Sequence, residues 1–418
     1  MDYEKLINDN GMYLYRDDSF NTESVSLCFQ AENGNRENAV YDLICDYLLK
    51  ANKKYDRNAV YRKSKELYDI GLDAVTGMIG SKRMFYLTID MVSPTVVEDD
   101  YSKDAFEFSK EMLLHPDFTR QDVLDTIRKE RIALIRAAHS NPSVVARDLY
   151  YTNVLPDPNL EYEYTPDMEY TEKLLNSITL EEMKELYEKT VSDDRFFRGI
   201  MFGNTNIKEF KEFRENFPFK SKIDTIDYSN KQDPVEGVKI FATDSAKQST
   251  VYITYTIDGV DETVKSVLSD ILSGSSYLCN EILRQKYKLV YSSGVMLHVY
   301  GGLFIVKANI DKDNLEKMVE ATDEMVSIIQ DPEKLKPLLE KAKESIKEAD
   351  YVMSERSDRM LYELSAYIRN MNVGQNYKEL IDNIDNVKPE DITKATKTLK
   401  KKNVFMFRGD AKWEIIRK

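Results

Sequence analysis

The second half of the sequence repeats the plan of the first. Five stretches recur in the same order. Residues 250–255 (TVYITY) answer 24–29 (SVSLCF), and 263–272 (TVKSVLSDIL) answer 39–48 (AVYDLICDYL), with Asp270 opposite Asp46. Residues 303–310 (LFIVKANI) answer 85–91 (FYLTIDM), 387–392 (VKPEDI) answer 178–183 (ITLEEM), and 404–407 (VFMF) answer 199–202 (GIMF). The offset drifts from 226 to 205 residues, as loop insertions cause. Self-similarity at a long, nearly fixed period predicts a tandem duplication. Strand and helix signals alternate within each copy, so the expected fold class is α+β: two tandem homologous domains, each a mainly antiparallel sheet with helices packed on one face. The expected boundaries are 1–216 for the first domain and 236–418 for the second. Residues 217–235, aperiodic and carrying Pro218 and Pro234, form the linker.

The local patterns are legible. Residues 24–30 alternate as a half-buried strand does, with 11–15 as its strand partner. Val40, Leu43, Ile44, Tyr47 and Leu48 make one apolar stripe on a helix over 37–50. A second helix over 59–68 is expected to end at Gly71 as its C-cap. Strands follow over 72–76 and 83–91, and helices over 103–114, 120–139 and 143–152. Thr179 and Glu182 have the spacing of a capping box. Gly301-Gly302 reads as a hairpin turn, having no phosphate-loop Lys-Ser/Thr beside it.

Charge and rare residues narrow the chemistry. Lys and Arg number 59 against 73 Asp and Glu, a net −14, which argues against nucleic acid and anionic membrane as partners. The three His (His115, His139, His298) and three Cys (Cys28, Cys45, Cys279) are far apart, leaving little room for a zinc, iron–sulfur or haem site. None of the His has a ligand-type partner at helical spacing. An odd, sparse set of Cys is no disulfide framework, and suits free thiols in a reducing cytoplasm. The start shows no basic stretch followed by an apolar one, and no run approaches the roughly 18 apolar residues of a membrane span.

Two segments carry candidate chemistry. The first helix reads Tyr41-Asp-Leu-Ile-Cys-Asp46, and the second copy carries Glu281-Ile-Leu-Arg-Gln-Lys-Tyr-Lys-Leu-Val-Tyr291 after its first helix. With the two tandem halves, these resemble the pitrilysin/insulinase/mitochondrial-processing-peptidase family of zinc peptidases over nearly the whole chain. The resemblance places an inverted H-x-x-E-H motif on the first helix, with two His as zinc ligands and the Glu as general base. The matching positions here are Asp42, Cys45 and Asp46. Both His and the base are therefore missing. A third ligand should come from the helix at 120–139, yet 132–147 holds no carboxylate and Glu130 comes one to two turns too early. Two hard oxygens beside one soft thiolate make a poor zinc set. The expectation is no metal in this chain, a substituted site on the three side chains being the alternative.

The second segment resembles the family's L-x-R-E-x-x-x-L-x-Y run, with Gln285 in place of Glu. Arg284 and Tyr291 match the paired Arg and Tyr, which in the family hydrogen-bond the substrate backbone across from the zinc. A guanidinium fork and a phenol can donate to peptide carbonyls. The resemblance thus implies a non-catalytic, substrate-clamping subunit of a heterodimeric, bacterial-type zinc metallopeptidase. It would be inactive alone, paired with a homologue that bears H-x-x-E-H and the zinc, and able to form a homodimer in isolation. Peptides would be its substrates. A non-enzymatic scaffold subunit of the same fold is the alternative; a Cys–His hydrolase has no local signature.

Overall fold

The computed structural model describes residues 7–16, 18, 20–192, 196–220, 231–273, 278–298, 301–353 and 381–410. Of the expected linker, residues 221–230 lie outside the described residues.

The chain divides into two compact units. In chain order the first begins with β1 (Ile7–Asp9), β2 (Met12–Arg16), β3 (Thr22–Gln30), α1 (Asn35–Leu48), α2 (Arg57–Glu66), β4 (Gly71–Ile79) and β5 (Lys82–Val92). Helices α3 (Pro94–Val97), α4 (Ser102–Leu114) and α5 (Gln121–His139) follow. Next come α6 (Pro142–Val154), α7 (Glu161–Tyr164), α8 (Met168–Ser177), α9 (Leu180–Thr190), β6 (Phe197–Gly203) and α10 (Ile207–Asn216). The remainder is β7 (Gly237–Thr243), β8 (Ser249–Thr256), α11 (Glu262–Ser273), a π-helical segment Asn280–Lys286, β9 (Val290–His298), β10 (Leu303–Ile310), α12 (Leu315–Ile329), α13 (Pro332–Met353), α14 (Pro389–Thr396) and β11 (Lys400–Gly409).

The first sheet runs β1-β2-β6-β3-β5-β4 and the second β7-β11-β8-β10-β9. Apart from β1, the two orders correspond strand for strand. Each sheet also holds one parallel pair at the corresponding place, β2 with β6 and β7 with β11. The expected pairing of 11–15 with 24–30 does not occur: β6 lies between β2 and β3. β3 is a central strand, buried along nearly its whole length, so its sequence does not reveal its neighbours. Nor does Gly71 cap α2; the left-handed positions after that helix are Tyr68 and Asp69, and Gly71 opens β4. The Thr179 hydroxyl accepts from the Glu182 N–H, as expected, but the Glu182 carboxylate goes to Arg36 at 2.6 Å.

In the first unit, Tyr41 of α1 and Tyr187 of α9 pack on Phe85 of β5, fixing α1 and α9 to one face of the sheet. At the end of the same sheet lies a buried acidic corner. Glu23 of β3 is fully buried, and the Ser93 hydroxyl donates to its Oε1 at 2.9 Å. Glu209 of α10 is buried beside it and accepts from Thr205 Oγ1 at 3.0 Å. Burial first, and the Glu209 charge second, push the Glu23 carboxyl up to about 8. Backbone packs tightly here: a Cβ on Gly203, whose φ is +124°, would lie 2.3 Å from the Thr22 carbonyl oxygen.

In the second unit, Val251, Ile253 and Tyr255 of β8 join α11, α12 and α13 in one core. The alternate residues face the other way, where Tyr252, Leu303, Ile305, Phe405 and Phe407 pack on Ala146, Tyr150 and Val154 of α6. Residues Ala137–Pro166 therefore group with the second unit, although they lie within the stretch 1–216 of the sequence-based division. Tyr150 is the anchor. Its ring stacks on Tyr252 at 4.2 Å, and its hydroxyl is 2.7 Å from Thr254 Oγ1. Tyr150→Ala is expected to cost about 3–5 kcal/mol and Tyr150→Phe about 1 kcal/mol, measured by denaturant unfolding.

Candidate functional site

The apolar stripe of α1 (Val40, Leu43, Ile44, Tyr47, Leu48) is buried. Asp42, Cys45 and Asp46 fall beside it, on successive turns of one face. α5 presents its own inward row. Leu124 and Ile127 are its buried residues, and Arg131 comes one turn later on the same side. The Arg131 guanidinium lands on the three motif positions. Its Nε donates to Asp46 Oδ2 at 2.9 Å and its Nη2 reaches the same oxygen at 2.7 Å. Nη2 also donates to the Asp42 carbonyl at 3.2 Å, and Nη1 lies 3.5 Å from Asp42 Oδ2. Burial, then the Asp42 and Asp46 charges, push the Cys45 thiol well above its ordinary range. It is a protonated thiol and a poor metal ligand.

These residues do not fit zinc. A divalent ion needs neutral or anionic donors converging on it, and here a permanent cation already sits among the carboxylates. Glu130 points elsewhere, pairing with Lys50 at 2.7 Å. Among the described residues no group of three or more His, Cys, Asp and Glu is arranged to hold a metal ion. At the duplicate position, Asp270 of α11 accepts from the Ser345 hydroxyl of α13 at 3.2 Å.

The second candidate lies in the second unit. In the segment Asn280–Lys286, Ile282 and Leu283 are buried while Arg284 is exposed. The end of the segment is pinned by Glu324, which takes Lys286 at 2.6 Å and the Tyr287 hydroxyl at 2.9 Å. Lys288, with φ +55°, turns the chain into β9. Arg284 makes no hydrogen bond or ion pair among the described residues. Tyr291 is the second residue of β9, the last strand of its sheet, and is 56% exposed. Its hydroxyl donates to Asp311 Oδ1 at 3.2 Å. The Asp311 charge holds the phenol above its ordinary value, so it stays a donor at neutral pH.

Of the three His, His139 has a structural partner. His139 Nε2 is 2.9 Å from the fully buried Asp148, which also takes Arg147 at 2.7 Å. Cys28, Cys45 and Cys279 are free thiols. Sequence reasoning missed Arg131 and Asp311. The spacing of Leu124, Ile127 and Arg131 was the available signal for the first; no local pattern marks the second.

Residues 177–346, which include Arg284 and Tyr291, match the family model described as the peptidase M16 inactive domain. That stretch is similar to the peptidase M16 inactive domain. Solved structures carry the same fold. A peptidase M16 inactive domain from Pseudomonas fluorescens is 15% identical with a TM-score of 0.72, covering 96% of this chain and 95% of that one. A protease from Helicobacter pylori is 14% identical with a TM-score of 0.72, covering 97% and 99%. The periplasmic protease PqqL from Escherichia coli is 10% identical with a TM-score of 0.71, over 98% of this chain and 46% of that one. No curated protein matches the chain. Among the described residues, no helix is long and apolar enough to cross a membrane.

Proposed function

We propose that this chain is the substrate-holding, non-catalytic subunit of a two-chain zinc peptidase. Its partner is an M16 homologue of similar length that bears H-x-x-E-H and supplies the zinc. Arg284 and Tyr291 donate hydrogen bonds to the backbone carbonyls of a peptide bound at the partner's site. The observation that carries this reading is the contrast between the two units. In the first, an arginine pairs with Asp42 and Asp46. In the second, Arg284 stands exposed, with no partner among the described residues, beside a sheet edge that carries an exposed phenol. A guanidinium with no partner among the described residues and a neutral phenol are suited to an external carbonyl. Tyr291 would exchange its Asp311 hydrogen bond for one to substrate. The three free thiols favour a cytoplasmic setting.

The experiment is reconstitution. The chain is mixed with an H-x-x-E-H homologue from the same organism and followed by size-exclusion chromatography with light scattering. A one-to-one complex is expected. Separate elution at micromolar concentrations of both chains would remove the reading.

A further inference from the structure

We propose that Arg131 is the resident cation of the former metal position and keeps divalent ions out of it. The inference stands on the first unit alone and does not depend on the pairing of chains. The two carboxylates, Asp42 and Asp46, lie four residues apart on α1, and Asp73 of β4 is near enough to act on Cys45 between them. Like charges on adjacent turns repel, and partial burial strengthens the effect. Such a set needs a cation. Arg131 supplies it from a second helix, and its planar fork reaches the Asp46 carboxylate with two nitrogens and the Asp42 carbonyl with one of them. The arginine therefore answers the acids that stand in the motif positions. It also closes the position by charge: a divalent ion would have to displace a guanidinium tethered to the same protein.

The test combines a double-mutant cycle with zinc titration on the full chain. Arg131→Met is expected to lower Tm by about 3–6 °C, because it leaves the carboxylates uncompensated. Arg131→Lys, which keeps charge without the fork, should fall between. Adding Asp46→Asn to Arg131→Met should restore part of the loss. Zinc chloride should leave the Tm of the wild-type chain unchanged and raise that of Arg131→Met, the gain vanishing with Asp46→Asn. Four results would each overturn the proposal. They are an unchanged Tm in Arg131→Met, no recovery in the double variant, no zinc response in Arg131→Met, and stoichiometric zinc on the wild-type chain that is lost in Asp46→Asn. Should Arg131→Met fail to fold, the zinc response of Arg131→Lys, with and without Asp46→Asn, decides the question in the same terms.

Discussion

Arg284→Ala is expected to lower kcat/KM of the reconstituted two-chain enzyme by about 10²-fold, with the complex and its zinc content intact. The size follows from the role. A donor aimed at a carbonyl where charge develops is worth a factor of that order when water is excluded around it. The folded chain should lose little, because Arg284 is exposed and its neighbours Ile282 and Leu283 make the buried contacts of that segment. Arg284→Lys should recover only part, since an ammonium cannot reproduce the fork. Tyr291→Phe should cost about tenfold, one neutral hydrogen bond being the weaker loss. Its unfolding midpoint should barely move, because the phenol's Asp311 contact is exposed. Equal activity of wild type and the Arg284→Ala, Tyr291→Phe double variant would leave the pair without a mechanism and favour a scaffold role.

The second large effect is on stability. Glu23→Gln is expected to stabilise the chain at pH 9 by up to about 5 kcal/mol. In the folded chain the Glu23 carboxyl is held up to about 8, against 4.5 for the ordinary group. Below pH 4.5 both states carry the proton and no penalty arises. Between 4.5 and 8 the unfolded chain releases it while the folded chain retains it, so stability falls as pH rises. Above 8 the folded group ionises beside Glu209 and the loss levels off. Glutamine cannot ionise, keeps an acceptor for Ser93 and offers an N–H toward Thr205. Denaturant unfolding of both proteins from pH 4 to 9 should show curves that meet at the acid end and separate steadily above pH 5. Parallel curves would show that Glu23 carries no such proton.

Much of this protein could be read in its sequence, and the parts that could not share a cause. The repeat located both sheets and the first helix of each unit, because strand alternation and the α1 stripe are local signals. Asp42, Cys45 and Asp46 fell on one helix face because their spacing alone decides it. Arg284 and Tyr291 fell at a helix end and a strand start for the same reason. Strand order was not local: β6 returns from about 170 residues away to lie between β2 and β3. The placement of α6 on the second sheet depends on Tyr150 meeting Tyr252 across 102 positions, which no window of sequence contains. Arg131 was missed in a different way. Two acids on one face call for a cation, and the family pattern calls for a carboxylate there.

The most direct measurement is made on the purified chain, alone and with its H-x-x-E-H homologue. Bound zinc is quantified and hydrolysis of an unstructured fluorogenic peptide is followed. The chain alone should hold no stoichiometric zinc and show no turnover, and the mixture should show turnover that a chelator abolishes. Stoichiometric zinc or turnover in the isolated chain, or full turnover by the homologue without it, would contradict the proposed division of labour.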